Sequence, residues 1–364
     1  MDTAQFEGRK RDHIRHALDS ANQALGLTGL ESVHLFHDAV PELDFLDIHL
    51  ESSCLGFSLK APFYIAGMTA GHADAPRLNR DLARAAQLKG WAMGVGSQRR
   101  ELDQESVDRW QEIRKEAPSL PMFANLGLSQ VLEASIERIR RVVDSLDAQA
   151  LCIHLNALQE VMQPEGTPFF KGGIQKVREL SRSLGRPIVL KETGCGFSRR
   201  SLEKVASLDV GAVDVSGLGG THWGKIEGAR AAETGSDPVS RRLARAAQVF
   251  GGWGESTVDS VRLASQVLPG STQIWASGGV RTGLDAAKLI GLGAHMVGYA
   301  KPALEAALQG EESLIEWMEQ QEFELRVALF CSGHDSPDAL RTDRGATMMT
   351  VGSEALRAVN RKEG

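Results

Sequence analysis

Eight short apolar segments recur along this chain, and each is followed by a polar or glycine-containing turn and then by a stretch with helical periodicity. Strands that are apolar along their whole length are typical of a parallel sheet covered by helices on both faces. Eight strand–helix units favour closure into a (β/α)8 barrel over an open doubly wound sheet. The predicted fold class is therefore α/β, a (β/α)8 TIM barrel. The predicted strands are residues 62–66, 91–95, 122–124, 150–153, 187–190, 212–215, 273–276 and 295–299.

The chain of 364 residues is long enough for one such barrel with additions at both ends. We expect a single domain with an N-terminal extension at 1–60, the barrel at 61–305 and a helical tail at 306–364. A long insertion between the sixth and seventh strands is rich in glycine, serine and charged residues. Further predicted elements are a basic helix start at 9–18, a strand-like run at 45–50, and helices at 256–266 and 311–331.

The composition argues against several classes of protein. A net charge of -6 gives no bulk attraction to nucleic acid or to a membrane surface. The four cysteines are scattered without a CxxC pair, which is typical of a reduced cytosolic protein without a disulfide framework or zinc cluster. The N-terminal segment is polar, and no apolar run of about 18 residues occurs, so neither a secretory signal nor a membrane span is predicted. We expect a cytoplasmic protein that binds neither nucleic acid nor membrane.

Hydrogen-bonding or charged residues follow nearly every predicted strand. A single polar residue after a strand is an ordinary turn former. In a barrel, however, the C-terminal ends of all the strands meet at one mouth, which is where such folds carry their chemistry. The sequence therefore predicts one polar site at this mouth, formed by Thr69, Ser97, Asn125, His154, Lys191, Ser216, Ser277 and Lys301.

Two glycine-rich loops are candidate phosphate sites. Ser277-Gly278-Gly279 precedes a predicted helix start, where backbone N–H groups and the positive end of the helix attract anions. It follows the seventh strand, near which barrels commonly bind phosphate. The loop from Gly217 to Thr221 adds a second glycine cradle and a hydroxyl group. Glycine loops can also be simple turns, but the positions of these two favour phosphate binding.

The run from His154 to Glu160 carries four groups of different chemistry after an apolar strand. His154 can accept, donate or carry a proton, and Asn156 and Gln159 can each donate and accept hydrogen bonds. Glu160 has the oxygen ligands that Mg²⁺ prefers. A lone histidine is more often a satisfied core residue, and a lone carboxylate is usually solvated. Together on one short segment they favour a site that binds substrate and metal.

Two basic features stay open on the residues alone. Lys191 ends the fifth strand, where a lysine pairs with a carboxylate, forms a Schiff base, or holds an anion or an electron-rich cofactor. Arg9 and Lys10 lie in a basic cluster that is either a solvated helix face or an arm that folds over the mouth and grips a diphosphate. Arg99, after the second strand, is placed to help from the rim.

The motifs of this chain resemble those of the type 2, flavin-dependent isopentenyl diphosphate isomerases along most of its length. The pattern HxNxxQE and the pattern SGxGGTxW are the specific pieces, since other flavin barrels share the glycine loops but not the first of these. The matching segments are Arg9-Lys10-x-x-His13, Lys60-Ala61-Pro62 leading to Met68-Thr69, Gly96-Ser97-Gln98-Arg99, Ala124-Asn125-Leu126-Gly127, His154-x-Asn156-x-x-Gln159-Glu160, Lys191-Glu192-x-Gly194-x-Gly196-x-Ser198, Asp214-Val215-Ser216-Gly217-x-Gly219-Gly220-Thr221-x-Trp223 and Ala276-Ser277-Gly278-Gly279-Val280-Arg281-x-Gly283.

The resemblance implies FMN in the barrel mouth. It places the FMN phosphate at Gly278, Gly279, Arg281 and Gly283, with help from Thr221. The other implied cofactor-binding residues are Met68, Thr69, Ser97, Asn125, Lys191, Ser216, Ala300 and Lys301.

The resemblance also implies isopentenyl diphosphate as substrate, converted to dimethylallyl diphosphate by a 1,3-allylic proton shift. Reduced FMN would act as acid and base, with NADPH as its reductant, and the protein would be a homo-oligomer, a tetramer or larger. Mg²⁺ is implied at Glu160. The implied catalytic residues are His154, Gln159 and Lys191, and the implied substrate ligands are Arg9, Lys10, Arg99, His154, Asn156 and Gln159.

Two departures from the family pattern bear on the flavin edge. Ala70 replaces the first glycine of a usual Met-Thr-Gly-Gly, and Glu255-Ser256 replaces a usual Ile-Pro. The main alternative is an FMN-dependent oxidoreductase on the same barrel, of the hydroxy-acid oxidase or dehydrogenase type. A Schiff-base aldolase at Lys191 and a barrel without catalysis are further alternatives.

Overall fold

A computed structural model describes residues 13–68, 75–103, 108–235 and 237–349 of the chain. Eight parallel strands close into a barrel, which confirms the predicted fold class. Around the barrel they follow one another in chain order, and the last pairs with the first. The barrel strands are β4 (Phe63–Ile65), β5 (Ala92–Gly94), β6 (Met122–Gly127), β7 (Ala150–Leu155), β8 (Ile188–Glu192), β9 (Ala212–Asp214), β10 (Gln273–Ala276) and β11 (Met296–Tyr299).

Helices follow the strands and cover the outside of the barrel. The 21-residue helix α15 confirms the helix predicted at 311–331. Among the described residues we find no helix that could span a membrane. The helices are α1 (13–18), α2 (Ala75–Lys89), α3 (Arg99–Asp103), α4 (Asp108–Glu116), α5 (Leu128–Glu133), α6 (Ile136–Ser145), α7 (Ala157–Met162), α8 (Gly173–Ser183), α9 (Arg199–Val205), α10 (Trp223–Thr234), α11 (Pro238–Val249), α12 (Thr257–Val267), α13 (Gly283–Gly291), α14 (Lys301–Gln309), α15 (Glu311–Cys331) and α16 (Pro337–Thr342).

Aromatic side chains fill the inside of the barrel. Trp275 lies 5.0 Å from Phe123 and 5.2 Å from Tyr64, measured between ring centroids. A second and larger apolar cluster joins the outer faces of the strands to the helices. Burial of this apolar surface is the main force that closes the barrel. Because the interior is packed, a ligand can bind only at an end of the barrel.

Strands β6 and β7 run further than their apolar segments suggested. The ladder continues through the pairs of Gly127 with His154 and of His154 with Lys191. The prediction that His154 lies just past the strand is therefore wrong, because His154 is the fifth residue of β7. A side chain on a strand is held more rigidly than one on a loop, which suits a residue that must present a fixed ring to a ligand.

The N-terminal extension differs from its prediction at residues 45–50. These residues do not form a strand, and only the 3-10 turn Phe45–Asp47 is regular there. The ring of Phe45 packs edge-on against Phe323 and Phe330 of α15, so the apolar pattern serves helix packing. The extension does contain β1 (Val33–Leu35), which pairs with β12 (Thr347–Met349), and the hairpin of β2 (Ser52–Cys54) and β3 (Phe57–Leu59).

The insertion between β9 and β10 is helical, which the sequence reading did not predict for its first part. Helix α12 confirms the helix predicted at 256–266, and Ser256 caps it by accepting from the N–H of Asp259 at 3.0 Å. Helices α10 and α11 pack closely, since a Cβ on Gly228 would lie 2.2 Å from the Cβ of Ala247. The buried face of α10 carries polar residues, so it lacks the apolar periodicity that identifies a helix.

Candidate active site

The C-terminal ends of all eight barrel strands surround one cavity of about 640 Å³. Helix α1 and the start of α10 complete its wall through His13, Ile14 and Trp223. Most of the residues predicted from the sequence line it. They are Met68, Ser97, Arg99, Asn125, His154, Asn156, Gln159, Glu160, Lys191, Ser216, Thr221, Gly278, Gly279, Arg281, Ala300 and Lys301.

Three predicted site residues, Arg9, Lys10 and Thr69, lie outside the described residues. A fourth, Gly283, is described but does not line the cavity. Gly283 is the first residue of α13, and its N–H donates to Oε2 of Glu324 at 2.7 Å. A Cβ on Gly283 would meet the backbone of α15 at 2.3 Å, so this glycine allows two helices to pack closely.

One side of the cavity, which we call the glycine side, consists of Lys191 and the loops 216–221 and 277–281. Gly278 and Gly279 have φ of 91° and 73°, a region that L side chains rarely adopt. A Cβ on Gly279 would lie 2.7 Å from the carbonyl oxygen of Gly219, so the two loops pack backbone to backbone. Helix α13 begins directly after them, and its positive end favours a bound anion.

The guanidinium group of Arg281 fastens the two glycine loops together. It donates to the carbonyl oxygen of Gly279 at 2.8 Å and to that of Gly219 at 3.2 Å. Asp285 accepts from the backbone N–H groups of Arg281 and Thr282, both at 3.0 Å, as part of a capping box. The glycine side is thus a rigid backbone cradle with a fixed cation beside it, suited to a phosphate group.

Lys191 lies on the floor of the glycine side as part of an ion pair. Its Nζ lies 2.5 Å from Oδ2 of Asp214 and donates to Oγ of Ser277 at 3.3 Å. Asp214 is fully buried. This arrangement matches the carboxylate-paired alternative for Lys191, whereas a Schiff-base lysine is activated by a desolvated pocket or a neighbouring cation.

The opposite side, which we call the amide side, consists of His154, Asn156, Gln159 and Glu160. The tautomer of His154 follows from Asn125, whose Nδ2 donates to the carbonyl oxygen of Val95 at 2.9 Å. Oδ1 of Asn125 therefore faces Nδ1 of His154 at 2.8 Å and must accept a hydrogen bond from its N–H. With Nδ1 donating to Asn125, Nε2 is an acceptor in the neutral ring and a second donor in the protonated ring, the form that can bind a diphosphate oxygen.

Glu160 is buried and already holds three protein donors. Its Oε2 accepts from the N–H and the hydroxyl of Thr167 at 2.6 and 3.3 Å, and its Oε1 accepts from Nδ2 of Asn156 at 3.0 Å. Oδ1 of Asn156 is buried and has no hydrogen-bond partner among the described groups. Within the described ranges no cluster of three or more His, Cys, Asp or Glu side chains could hold a metal ion.

A buried carboxylate that the sequence reading missed supports the amide side. Glu227 of α10 accepts at Oε1 from Gln159 at 3.1 Å and contacts Nε2 of His13 at 2.9 Å, and its Oε2 pairs with Arg230. Burial alone would raise the pKa of Glu227, but the donors from His13, Arg230 and Gln159 lower it to about 2. Glu227 is thus an ionised group that joins α1, α7 and α10 behind the cavity.

Three further residues in or beneath the cavity were not predicted as site residues, although the sequence motifs contain them. His13 and Trp223 belong to the motif segments quoted above, but neither was assigned a role. Their rings meet edge-on at 5.3 Å between centroids. Asp214 also stands in such a segment, where it reads as the end of a strand. Glu227 has no motif, and its only signal is that it lies four residues after Trp223, on the same face of a helix.

Comparison with known proteins identifies the family. The family model described as FMN-dependent dehydrogenase matches residues 159–347, just over half of the chain. The isopentenyl-diphosphate delta-isomerase of Legionella pneumophila (strain Corby) is 47% identical over 339 residues, which covers 93% of this chain and 97% of the relative. The proteins of that name from Bdellovibrio bacteriovorus and Halobacterium salinarum are 46% and 40% identical, over 91% and 94% of this chain and 94% and 93% of their own.

Solved structures agree on the fold. A mandelate oxidase with benzoyl-formic acid aligns with a TM-score of 0.64 at 19% identity, covering 96% of this chain and 98% of the other. A mandelate oxidase variant with a monooxide FMN adduct gives 0.62 at 18%, covering 95% and 96%. At such identities the likeness establishes the barrel alone. The family follows from the sequence relatives, and the chain belongs to the isopentenyl-diphosphate delta-isomerases of the type 2 form, which use the barrel of the FMN-dependent dehydrogenases.

Proposed function

We propose that this protein binds FMN in the cavity at the C-terminal rim and interconverts isopentenyl diphosphate and dimethylallyl diphosphate. Relatives that are 40–47% identical over more than nine tenths of the chain carry the name of this activity. The observation that carries the proposal is the division of one cavity into a rigid glycine side and a polar amide side. This division suits a cofactor phosphate on one side and a substrate diphosphate on the other.

The glycine side fits FMN. The cofactor phosphate would lie in the cradle of Gly278 and Gly279, beside Arg281 and Thr221, where added Cβ atoms would leave the two loops no room to pack. Gly283 would contribute only through the start of α13. Reduced FMN, when bound, supplies electron density and exchangeable protons beside an alkene. The side chains proposed to meet the rest of the cofactor are Met68, Thr69, Ser97, Asn125, Lys191, Ser216 and Ala300. Lys301, whose Nζ donates to the carbonyl oxygen of Leu18, is instead proposed to fix helix α1 at the cavity.

The amide side is proposed to hold the substrate diphosphate and Mg²⁺. Mg²⁺ usually keeps several waters and takes one or two carboxylates together with substrate phosphates. Glu160 fits this requirement, because Oε1 accepts a single protein hydrogen bond, and the buried Oδ1 of Asn156 offers a further acceptor nearby. The diphosphate ligands in this proposal are Arg9, Lys10, Arg99, His154, Asn156 and Gln159.

The side chains prepare the site for moving a proton on an unactivated alkene. Ile14 and Trp223 wall the cavity with apolar surface, which limits water around a substrate that gains positive charge. His154 is held in one tautomer by Asn125, and the amide of Gln159 is oriented by Glu227. We propose that His154 and Gln159 position the substrate for proton transfer, and that Lys191 provides a fixed cation beside the cofactor.

Several wider features remain proposals. NADPH as the reductant, a homo-oligomer of four or more chains, and a cytoplasmic location all follow from the family resemblance or the composition. The single-domain organisation is proposed on the same basis.

The central experiment is an anaerobic assay with prereduced flavoprotein, isopentenyl diphosphate and Mg²⁺. We expect dimethylallyl diphosphate to accumulate over many turnovers while the flavin absorbance stays that of the reduced form. If product formed only in step with flavin oxidation by an acceptor, the oxidoreductase alternative would replace the isomerase.

Glu160→Gln tests the metal separately. The variant should bind FMN as the wild type does but need a higher Mg²⁺ concentration for half-maximal rate. An unchanged Mg²⁺ response would remove Glu160 from the metal site.

A further inference from the structure

A single carboxylate lies beneath the floor of the glycine side and joins the groups that line it. Asp214 ends β9, has 0% exposure and does not reach the cavity surface. Its Oδ1 accepts from Oγ of Ser277 at 2.7 Å and from the N–H of Ser216 at 3.3 Å. Its Oδ2 accepts from Lys191 at 2.5 Å and from the hydroxyl of Tyr64. Lys191, Ser216 and Ser277 line the cavity directly above it.

The position of the lysine ammonium follows from these contacts. An ammonium group has three N–H donors. Among the described residues, Lys191 gives one to Asp214 and one to Ser277, so the tetrahedral geometry of Nζ leaves a single further direction for a cavity ligand. The backbone register supports this arrangement, since Lys191 and Asp214 are direct partners across β8 and β9.

We propose that Asp214 is a positioning residue of the cofactor site, which acts through Lys191 by holding its ammonium group toward the ring system of the bound flavin. This inference rests on the proposed binding of FMN. Asp214 touches neither the cofactor nor the substrate in this proposal. Its role is to remove the rotational freedom of a long side chain that would otherwise have to be ordered when the ligand binds.

The hydrogen-bond pattern requires a carboxylate at this position. The backbone N–H of Ser216 and the ammonium of Lys191 can only donate, and they bind to different oxygens of Asp214. An asparagine has one oxygen and one NH2 group, so it must direct donors against one of these two partners. Asp214→Asn therefore disturbs either Lys191 or the start of the glycine loop, although its shape is almost unchanged.

Asp214 also holds the start of the loop 216–221, and an experiment can separate this effect from its effect on Lys191. Ser216 has φ of 52°, and the contact of its N–H with Asp214 holds this turn at the start of the loop 216–221. A defect in that loop would reach the phosphate cradle, because a Cβ on Gly278 would lie 2.7 Å from the N atom of Gly217. A displaced Lys191 would instead weaken the contact with the ring system of the flavin. Riboflavin, which lacks the phosphate, distinguishes the two.

The test is equilibrium titration of flavin-free protein with FMN and with riboflavin. We expect Asp214→Asn to raise the Kd of both flavins by about tenfold, the order of one charge-assisted hydrogen bond. In a Lys191→Met background the same substitution should change either Kd less than twofold, because residues that act through one another are not additive. Glu322→Gln is the control, since Glu322 accepts from Lys89 and from the indole of Trp91 far from the cavity, and it should leave both values unchanged.

Two results of these titrations would contradict the role proposed for Asp214. A loss confined to FMN, or an equal loss with and without Lys191, would show that Asp214 acts on the loop and overturn the proposal. If Asp214→Asn fails to fold, Ser277→Ala removes the second acceptor of Lys191 and should raise both Kd values about threefold, again only while Lys191 is present. Wild-type protein that binds neither flavin would overturn the proposed function, and this inference with it.

Discussion

The glycine side and the amide side of the cavity are built in different ways. The glycine side is mainly backbone, and each of its two loops, 216–221 and 277–281, is a short motif whose residues are near neighbours in the chain. The amide side is made of side chains held by partners from distant segments. Glu227 contacts Gln159, 68 positions earlier, and His13, 214 positions earlier. A local motif can therefore specify each loop of the glycine side, whereas the orientation of the side chains on the amide side is set only after the chain has folded.

The two sides should therefore fail in different ways when they are altered. A backbone cradle depends on φ angles and on contacts under 3 Å to an added Cβ, so one methyl group is enough to break it. The amide side depends on charge and hydrogen bonding, so an isosteric neutral substitution should break it while the shape is preserved. Cofactor affinity should report on the first kind of damage, and substrate turnover on the second.

The largest expected effect is that of Gly279→Ala on cofactor binding. Its Cβ would lie 2.4 Å from Cγ2 of Thr28 and 2.7 Å from the carbonyl of Gly219, at φ of 73°. The two loops must separate, so we expect the Kd for FMN to rise at least 100-fold in a titration of flavin-free protein, about 2.7 kcal/mol or more.

Gly185→Ala is the matched control for this substitution. Gly185 has nearly the same φ of 75°, but nothing lies within 4 Å of the added Cβ. It therefore carries the conformational cost of about 1 kcal/mol without the clash. Unchanged FMN binding in Gly279→Ala would show that the cradle does not hold the cofactor.

Prediction from the sequence succeeded for local patterns and failed for features that depend on contacts between distant segments. The barrel, its strand positions and the glycine loops were visible because apolar strands and glycine turns are local patterns. Helix α10 was not, because it buries Glu227 and Arg230 where a helix normally buries apolar residues. Gly283 belonged to the right motif, yet its N–H binds Glu324 of α15, a partner that no local pattern reveals.

The next largest effect should come from Glu227→Gln. A neutral amide cannot accept from His13, Gln159 and Arg230 together, so Gln159 loses its fixed orientation. We expect kcat/KM for isopentenyl diphosphate to fall about 50-fold, in the range for one charged hydrogen-bond network, with the Kd for FMN within twofold of wild type.

Glu233→Gln is the control on the same helix, since Glu233 is half-exposed and contacts α1 through Arg15. If Glu227→Gln instead weakened FMN binding and kept its turnover, the two sides would have to act as one cooperative unit.

The pH dependence of the unfolding free energy should also report on the charge of Glu227. The pKa of Glu227 is lowered from 4.5 to about 2, so its contribution is complete above pH 4.5 and is lost as the pH falls toward 2. The difference in unfolding free energy between wild type and Glu227→Gln should therefore shrink by about 2 kcal/mol between pH 6 and pH 3. Denaturant titrations at the two pH values measure it. A constant difference would mean that Glu227 is not ionised against its partners.

The smallest expected effect concerns Lys301, which the sequence reading assigned to the cofactor. Its Nζ donates at 3.0 Å to the carbonyl oxygen of Leu18, the last residue of α1. A cation at a helix C-terminus contributes about 0.3–1 kcal/mol, so Lys301→Met should loosen α1 and raise KM about threefold. Lys288→Met is the matched control, because Nζ of Lys288 donates to the carbonyl oxygen of Leu30 at 2.8 Å, in the same extension, and Lys288 does not line the cavity. If Lys301→Met instead weakens FMN and leaves KM unchanged, Lys301 belongs to the glycine side, and the boundary between the two sides shifts to include α14.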